Sequence, residues 1–108
     1  MNDTLQALYD TIADRKANRV EGSYTCYLFD KGLDKILKKI GEESAETIIA
    51  AKGDCNGELV GELADLLYHT MVLMACKDIP LEALTEELDR RTQKIGNLKV
   101  MRDTDRDS

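Results

Sequence analysis

A helical repeat of apolar residues runs through most of the chain and limits the possible folds more than any other feature. In the middle of the sequence a mostly apolar stripe recurs at a spacing of three to four residues, at Leu33, Ile36, Leu37, Ile40, Ser44, Thr47, Ile48 and Ala51. This spacing places them on one face of an α-helix. No segment shows the alternation of apolar and polar residues that is typical of a half-buried strand. The sequence therefore predicts an all-α fold.

Turn residues divide this repeat into four to five helices. The long helices are predicted over residues 4–16, 33–52, 58–76 and from Pro80 to a stop at Gly96 and Asn97. A shorter helical turn is predicted between the first two of these. We expect it to be capped by Ser23 or Thr25 and to end at Gly32.

The length and the charge of the chain narrow its class. It has 108 residues, the size of one domain. We assign residues 1–96 to a single all-α domain and residues 97–108 to a polar, flexible tail. The net charge of −6 argues against nucleic acid as the main partner, since phosphate-backbone binding needs a basic surface. This balance still permits small phosphate ligands, which a few lysines or a metal ion can hold.

The cysteines and the apolar segments predict a cytoplasmic protein without a membrane partner. The three cysteines form no CxxC pair, which argues against a zinc site and favours free thiols in a reducing compartment. The N-terminus contains acids and no long apolar run, so it does not resemble a signal peptide. Asp65 and His69 interrupt the most apolar stretch, residues 63–76. We expect this stretch to be too short and too polar to span a membrane.

The predicted helix over residues 58–76 carries apolar side chains on most of its circumference. A helix of this kind is buried in a bundle or at an interface between subunits. Four helices of these lengths would leave too much of it exposed in a monomer. We therefore predict a helical bundle that is completed by oligomerisation, as a homodimer or a higher homo-oligomer.

The order of charges differs between two of the predicted helices. In the last helix the acids precede the basic residues, which is the order that the helix macrodipole favours. In the helix over residues 33–52 this order is largely reversed. Three lysines lie in its first half and three glutamates in its second: Lys35, Lys38, Lys39, Glu42, Glu43 and Glu46. Selection for helix stability alone would not produce this order, so we infer that these charges serve to bind a ligand.

Five carboxylates on two consecutive helices form the candidate ligand site: Glu42, Glu43, Glu46, Glu62 and Asp65. Acids at helical spacing repel one another, and on a mostly apolar helix they need lysines or a divalent cation to neutralise them. Oxygen ligands favour Mg²⁺ or Mn²⁺ over zinc or copper. Single acid pairs of this spacing are common on solvated faces. Two such groups on consecutive helices favour a metal site.

The acidic motifs EExxE (residues 42–46) and ExxD (residues 62–65) resemble the metal motif of the MazG-type all-α nucleotide pyrophosphatases. The segments SYT, KGLDKILKKIGEESAE and ELADLLYH are similar to those of the phosphoribosyl-ATP pyrophosphatases, the family of the second step of L-histidine biosynthesis. This similarity extends over about residues 5–91. It implies a MazG-like fold and hydrolysis of the α–β phosphoanhydride of phosphoribosyl-ATP to phosphoribosyl-AMP and pyrophosphate.

The resemblance also implies roles for individual residues. The Mg²⁺ ligands would be Glu43, Glu46, Glu62 and Asp65. Glu42 would bind a further metal ion or orient a water molecule. Additional substrate contacts are expected from the segment before the long helix, at Ser23, Tyr24, Thr25 and Lys31.

Two roles are open for Lys35, Lys38 and Lys39, which lie one to two turns before the glutamates. In the first role they contact phosphate directly. In the second role they neutralise acids four residues further on, so that Lys38 pairs with Glu42 and Lys39 with Glu43.

The aromatic residues and the histidine are equally open to interpretation. Tyr24 and Tyr27 either stack on a base or are partly buried tyrosines. His69 is more simply a hydrogen-bonded histidine of the core or of an interface than a ligand.

Two other functions compete with this assignment. A MazG-type pyrophosphatase acting on another nucleoside triphosphate, such as dUTP or dCTP, would have the same metal site. Side-by-side hydrolysis of phosphoribosyl-ATP and the common deoxynucleotides separates these two enzymes. A non-enzymatic helical interaction module would have no Mg²⁺ requirement and would tolerate neutralisation of the acids.

Overall fold

The structure is a computed structural model that describes residues 3–93 and 101–106. Within these residues the chain forms helices without any strand, so the predicted all-α class is confirmed. The helices are α1 (Thr4–Ala17), α2 (Tyr24–Lys31), α3 (Leu33–Lys52), α4 (Asn56–Cys76), α5 (Leu81–Thr92) and the single-turn α6 (Asp103–Arg106).

The helix boundaries follow the sequence signals closely. The bounds of α3 are those predicted, and α4 begins at Asn56, two residues earlier than expected. The N-cap at Ser23 is confirmed, because its Oγ accepts a hydrogen bond from the Cys26 N–H at 3.2 Å. The predicted stop of the last long helix at Gly96 and Asn97 lies outside the described residues. Within them, α5 extends to Thr92.

The α6 turn lies in the segment that was predicted to be a flexible tail, and the sequence analysis missed it. A local contact closes this turn: Asp105 accepts hydrogen bonds from the Arg102 N–H at 3.0 Å and from the Arg102 side chain at 3.3 Å. A carboxylate at this position satisfies exposed N–H groups at the start of a helical turn. The boundary between domain and tail stays a prediction.

The hydrophobic core forms where α1, α2 and the start of α3 pack against the second half of α4. Its fully buried side chains are Ile12, Leu28, Ile36, Met71 and Val72. Burying each of them contributes about 1.5–3 kcal/mol relative to leaving it exposed. Met74 packs in the same cluster. The core therefore fixes one end of α4 and leaves its first half for the site.

The first half of α4 and the second half of α3 expose several large apolar side chains, which we call the uncovered face. Its members are Ile48, Ile49, Val60, Leu63 and Leu67, and Ile49 is 71% exposed. A patch of this kind marks an interaction surface.

Helix α4 is also long enough and apolar enough, by length and composition, to cross a membrane. Residues 63–76 were expected to be too short to span a membrane. The helix that contains them begins earlier, at Asn56, so this expectation was wrong about length. A core helix of a soluble protein passes the same test. In α4 about 28% of the apolar window is buried within the chain, and Met71, Val72 and Ala75 in its second half are among the buried residues.

Candidate metal centre and substrate site

Three of the predicted metal ligands come together between α3 and α4. The two helices are joined by residues 53–55 and pack against each other. One carboxylate oxygen from each of Glu43, Glu62 and Asp65 lies within 4.8 Å of the other two. Glu46 lies beside this group, since it lines the same groove as Glu62 and Asp65. Burial, followed by the carboxylate of Glu46, raises the pKa of both Glu43 and Glu62. We call these four residues the carboxylate cluster.

Glu43 is the buried member of the carboxylate cluster, with 6% of its surface exposed. Burial, followed by the carboxylates of Glu46, Asp65 and Glu62, raises the pKa of Glu43 to about 7. Its Oε2 atom is buried and has no hydrogen-bond partner among the described residues. A buried carboxylate oxygen in that state costs free energy unless a proton or a cation neutralises it.

The donor set of the cluster fits a hard divalent cation. All of its ligand atoms are carboxylate oxygens, which Mg²⁺ and Mn²⁺ prefer. Octahedral Mg²⁺ with bonds of about 2.1 Å holds its oxygens roughly 3–4.2 Å apart. The observed spacing, up to 4.8 Å, is close to this range and requires only small side-chain movements.

A groove of about 330 Å³ opens beside the carboxylate cluster. It is lined by four carboxylates and three small or apolar residues: Glu46, Glu58, Glu62, Asp65, Ile49, Ala50 and Gly61. Glu58 was not among the predicted site residues, although it precedes Glu62 by one helical turn. The groove gives the cluster access to solvent and to a ligand.

Glu42 is separate from the cluster and forms an ion pair with Lys39. Its Oε1 lies 3.2 Å from the Lys39 Nζ, three residues earlier. The predicted pairing of Lys39 with Glu43 was therefore wrong: Glu43 faces the other carboxylates, and the exposed Glu42 takes the lysine. The hydrogen bond lowers the pKa of Glu42 and raises that of Lys39. The roles proposed for Glu42 and Lys39 in metal and phosphate binding stay predictions.

Tyr24 is linked to the cluster through His69. His69 is buried, and its Nδ1 lies 2.8 Å from the main-chain oxygen of Asp65. A carbonyl oxygen only accepts, so Nδ1 donates; when the ring is neutral, Nε2 accepts from the Tyr24 hydroxyl at 3.0 Å. Partial burial raises the pKa of Tyr24, which keeps this proton in place. The interpretation of His69 as a hydrogen-bonded core histidine is confirmed.

The remaining predicted substrate residues lie on α2 and at the start of α3. The hydroxyls of Ser23 and Thr25 are engaged within the protein, since Ser23 caps α2 and Thr25 shares a short hydrogen bond with Tyr68. Lys31 and Lys35 instead place their Nζ atoms 5.9 Å and 6.0 Å from the centre of the Tyr27 ring. Lys38 is exposed on α3.

The predicted site residues did not include Tyr27, and the sequence analysis did not single out Tyr68. The ring of Tyr24 stacks between those of Tyr27 and Tyr68, at centroid distances of 6.0 Å and 6.2 Å. One signal was available for Tyr27, which lies four residues before Lys31 on the same helical face. The contact with Tyr68 depends on the crossing of α2 and α4, which no local pattern encodes.

Comparison with known proteins gives consistent similarities. Residues 5–92 match the model of the family described as phosphoribosyl-ATP pyrophosphohydrolase. The chain is 54% identical over 101 residues to a phosphoribosyl-ATP pyrophosphatase of Clostridium acetobutylicum, covering 94% of this chain and 92% of the relative.

Two further relatives extend the comparison. A phosphoribosyl-ATP pyrophosphatase of Methanocella arvoryzae is 57% identical over 93 residues, covering 84% of this chain and 98% of the relative. A histidine biosynthesis bifunctional protein of Caldanaerobacter subterraneus is 54% identical over 92 residues, which are 85% of this chain and 45% of the relative. The similarity therefore includes the helices that carry the site.

Proposed function

Since the chain belongs to the phosphoribosyl-ATP pyrophosphohydrolase family, we propose that Glu43, Glu46, Glu62 and Asp65 hold Mg²⁺ against the triphosphate of phosphoribosyl-ATP. The protein is a hydrolase of histidine biosynthesis that converts phosphoribosyl-ATP to phosphoribosyl-AMP and pyrophosphate. Mn²⁺ has the same ligand preference and would substitute for Mg²⁺ at these carboxylates.

The observation that carries this assignment is the buried, unpartnered Oε2 of Glu43. Three further carboxylates approach this residue, and its pKa is raised to about 7. In a site without a cation this arrangement is destabilising, because the charges repel and Glu43 is removed from water. A divalent cation removes that penalty and turns the same four residues into ligands.

When bound, Mg²⁺ neutralises phosphate oxygens and lowers the pKa of a water molecule that attacks the phosphoanhydride. The protein contributes positioning. Glu43 and Glu46 approach from α3, and Glu62 and Asp65 from α4, so the two helices together fix the ligand geometry. Lys39 lies one turn before Glu43 and is the lysine best placed to contact the triphosphate.

The exposed Glu42 lies outside the carboxylate cluster and has a separate role in this proposal. It orients water or binds a further metal ion beside the triphosphate. Its pairing with Lys39 at 3.2 Å keeps both side chains on the same flank of α3.

The direct test is Mg²⁺-dependent release of pyrophosphate from phosphoribosyl-ATP, measured beside dUTP, dCTP and ATP. We expect rapid release from phosphoribosyl-ATP that is lost on chelation of Mg²⁺ and restored by its return. Faster release from a deoxynucleotide would assign the protein to the alternative pyrophosphatase function. Turnover that persists with excess chelator would contradict the metal assignment.

We also propose that a second copy of the chain covers the uncovered face and forms a homodimer or a larger homo-oligomer. Ile49 belongs to this face and also lines the groove beside the carboxylate cluster, so association would close one side of the site. The free state of the three cysteines supports a reducing, cytoplasmic location.

Association is tested by introducing a charge into the uncovered face. Val60→Asp places a carboxylate at a position that is 64% exposed in the single chain, and we expect the mass in sedimentation to fall towards 12.1 kDa. Val20→Asp is the control, since Val20 is also an exposed valine but lies outside this face. A wild-type protein that sediments only at the mass of one chain while fully active would contradict the proposal.

A further inference from the structure

Two lysine ammonium groups converge on a single exposed ring. The Nζ atoms of Lys31 and Lys35 lie 5.9 Å and 6.0 Å from the centre of the Tyr27 ring, which belongs to a side chain that is 41% exposed. Each cation is attracted to the negative face of the ring. Two cations near one exposed ring also make the local potential positive, which attracts an anion. We call these three residues the lysine–tyrosine site.

Gly32 sets the direction of the chain that brings both lysine side chains to the Tyr27 ring. It is the single residue between α2 and α3, and its φ of 93° is a conformation that side-chain-bearing residues rarely adopt. Its N–H donates to the Leu28 oxygen at 2.9 Å, and its own oxygen accepts from the Ile36 N–H at 3.2 Å. This tight junction turns the chain so that Lys31, at the end of α2, and Lys35, in the first turn of α3, reach the same ring.

The lysine–tyrosine site lies at a defined distance from the carboxylate cluster. Lys35, Lys39 and Glu43 are spaced by four residues and share one face of α3. At 1.5 Å per residue, Lys35 is about 12 Å from Glu43 along the helix axis, and Lys39 is about 6 Å away. Tyr24 stacks on Tyr27 with 6.0 Å between the ring centroids.

The chemistry of the substrate matches this layout. Phosphoribosyl-ATP has a triphosphate at one end and a single phosphate on its second ribose at the other, with adenine between two sugars. Relying on the function proposed above, we propose that Lys31 and Lys35 bind the phosphate of the second ribose. The exposed parts of the Tyr24 and Tyr27 side chains contact the adenine. ATP lacks the second phosphoribosyl group, so this site selects phosphoribosyl-ATP over ATP.

Binding of the two monophosphate compounds tests the proposal without turnover. Affinities for phosphoribosyl-AMP and for AMP are measured by titration calorimetry in Mg²⁺, with wild type, Lys31→Ala and Lys35→Ala. We expect wild type to prefer phosphoribosyl-AMP. Each variant should bind it about 10- to 150-fold more weakly, as expected for one lost charge-assisted hydrogen bond, and should keep its affinity for AMP within about twofold. The control is Lys52→Ala, an exposed lysine at the far end of α3, which should match wild type.

The ring is tested separately from the charges. Tyr27→Phe retains the aromatic face and should bind phosphoribosyl-AMP within about threefold of wild type, whereas Tyr27→Leu should lose the preference over AMP. Circular dichroism and thermal melts establish that each variant is folded. Tyr27 and Lys31 are exposed and Lys35 is half-buried, and all three lie outside the hydrophobic core.

The outcomes separate this inference from the proposed function. Suppose that wild type hydrolyses phosphoribosyl-ATP with Mg²⁺. If the lysine substitutions then lower the affinities for AMP and phosphoribosyl-AMP equally, or lower neither affinity, the lysine–tyrosine site is not the phosphoribosyl subsite. Equal affinity of wild type for the two compounds overturns it as well. If wild type releases no pyrophosphate from phosphoribosyl-ATP, the proposed function itself fails.

Discussion

Two glutamates in this protein follow directly after another glutamate on a helix, and their surroundings are opposite. Glu87 on α5 accepts hydrogen bonds from Arg90 and Arg91, and these arginines lower its pKa. Glu43 on α3 is buried against other carboxylates, and its pKa rises to about 7. Glu87 thus has its positive partners within its own helix. Within residues 3–93 and 101–106, Glu43 forms no such ion pair, because Lys39 pairs with Glu42 instead.

The difference separates charges that stabilise a helix from charges that prepare a site. Acids before bases agree with the macrodipole and with pairing one turn apart, and α5 has this order. Helix α3 has the opposite order, and its glutamates Glu43 and Glu46 lie close to the carboxylates of α4. The free energy that this arrangement costs the protein without metal becomes binding free energy when a cation enters. Removing charges from each helix in turn tests this contrast.

Neutralising one member of the carboxylate cluster should have the largest effect. In Glu62→Gln or Asp65→Asn, the loss of a charged ligand should lower kcat/KM by about 10³-fold or more, since metal stabilisation of the transition state amounts to several kcal/mol. The same variants should raise the melting temperature of the metal-free protein, because repulsion is reduced. The matched control is Glu87→Gln, which should retain full activity. Near-wild-type turnover in Glu62→Gln would contradict the cluster assignment.

The next largest effect is expected from the lysines. A charge-assisted bond to phosphate contributes about 1.5–3 kcal/mol, so Lys39→Ala should lower kcat/KM by about 10- to 150-fold at saturating Mg²⁺. A lysine that only pairs with an exposed acid contributes roughly 0.2–0.5 kcal/mol. Lys35→Ala and Lys38→Ala are measured in parallel. If all three remain within about threefold of wild type, these lysines belong to the solvated surface.

The pKa of Glu43 predicts how the stability of the metal-free protein depends on pH. Because folding raises this pKa from its ordinary 4.5 to about 7, the folded state binds more protons than the unfolded state between these values. Stability is therefore greatest below about pH 4.5, as far as this group is concerned, and falls as pH rises through 7. We expect the melting temperature to fall over this range, by roughly 4–8 °C for each 1 kcal/mol of stability that is lost in a domain of this size.

Glu43→Gln provides the comparison for that pH dependence, and saturating Mg²⁺ at pH 8 should restore the stability of wild type. Melting curves between pH 5 and 8, with and without Mg²⁺, give both results. A wild-type protein whose metal-free melting temperature rises steadily over this range, in parallel with Glu43→Gln, would show that the cluster does not repel as inferred.

The smallest effect is expected at Glu87. Its two arginine partners are exposed, and each such pair contributes roughly 0.2–0.5 kcal/mol. Glu87→Gln should therefore lower the free energy of unfolding by less than about 1 kcal/mol and leave kcat/KM unchanged. Urea unfolding and pyrophosphate release measure the two quantities. A larger loss of activity than of stability would place α5 in the site.

The fold was largely predictable because its signals are local. The periodicity of Leu33, Ile36 and Ile40 predicted α3 with its observed bounds, and the side chain of Ser23 predicted the cap of α2. The unpredicted α6 turn depends on Asp105, a single capping side chain in a polar segment that has no apolar repeat. Without a repeat there was no pattern from which to infer a helix.

The residues of the candidate site were predicted from the sequence, but the contacts between their side chains were not. Spacing put Glu43 and Glu46 on one helix, and Glu62 and Asp65 on the next. Spacing also suggested that Lys39 pairs with Glu43, whereas the helix buries Glu43 and leaves Glu42 to the lysine. A difference of one residue rotates a side chain by about 100°, so small errors in the assumed helix face change the partner.

The sequence by itself determined the helices, the residue types of the site and the family, because these depend on neighbours along the chain. Only the tertiary structure decided that Glu43 is buried with an unpartnered oxygen, that His69 joins Asp65 to Tyr24, and that two lysines share the Tyr27 ring. These contacts join α2, α3 and α4. Burial and pKa arise from the packing of separate helices, and the charge pattern of any one helix leaves them undetermined.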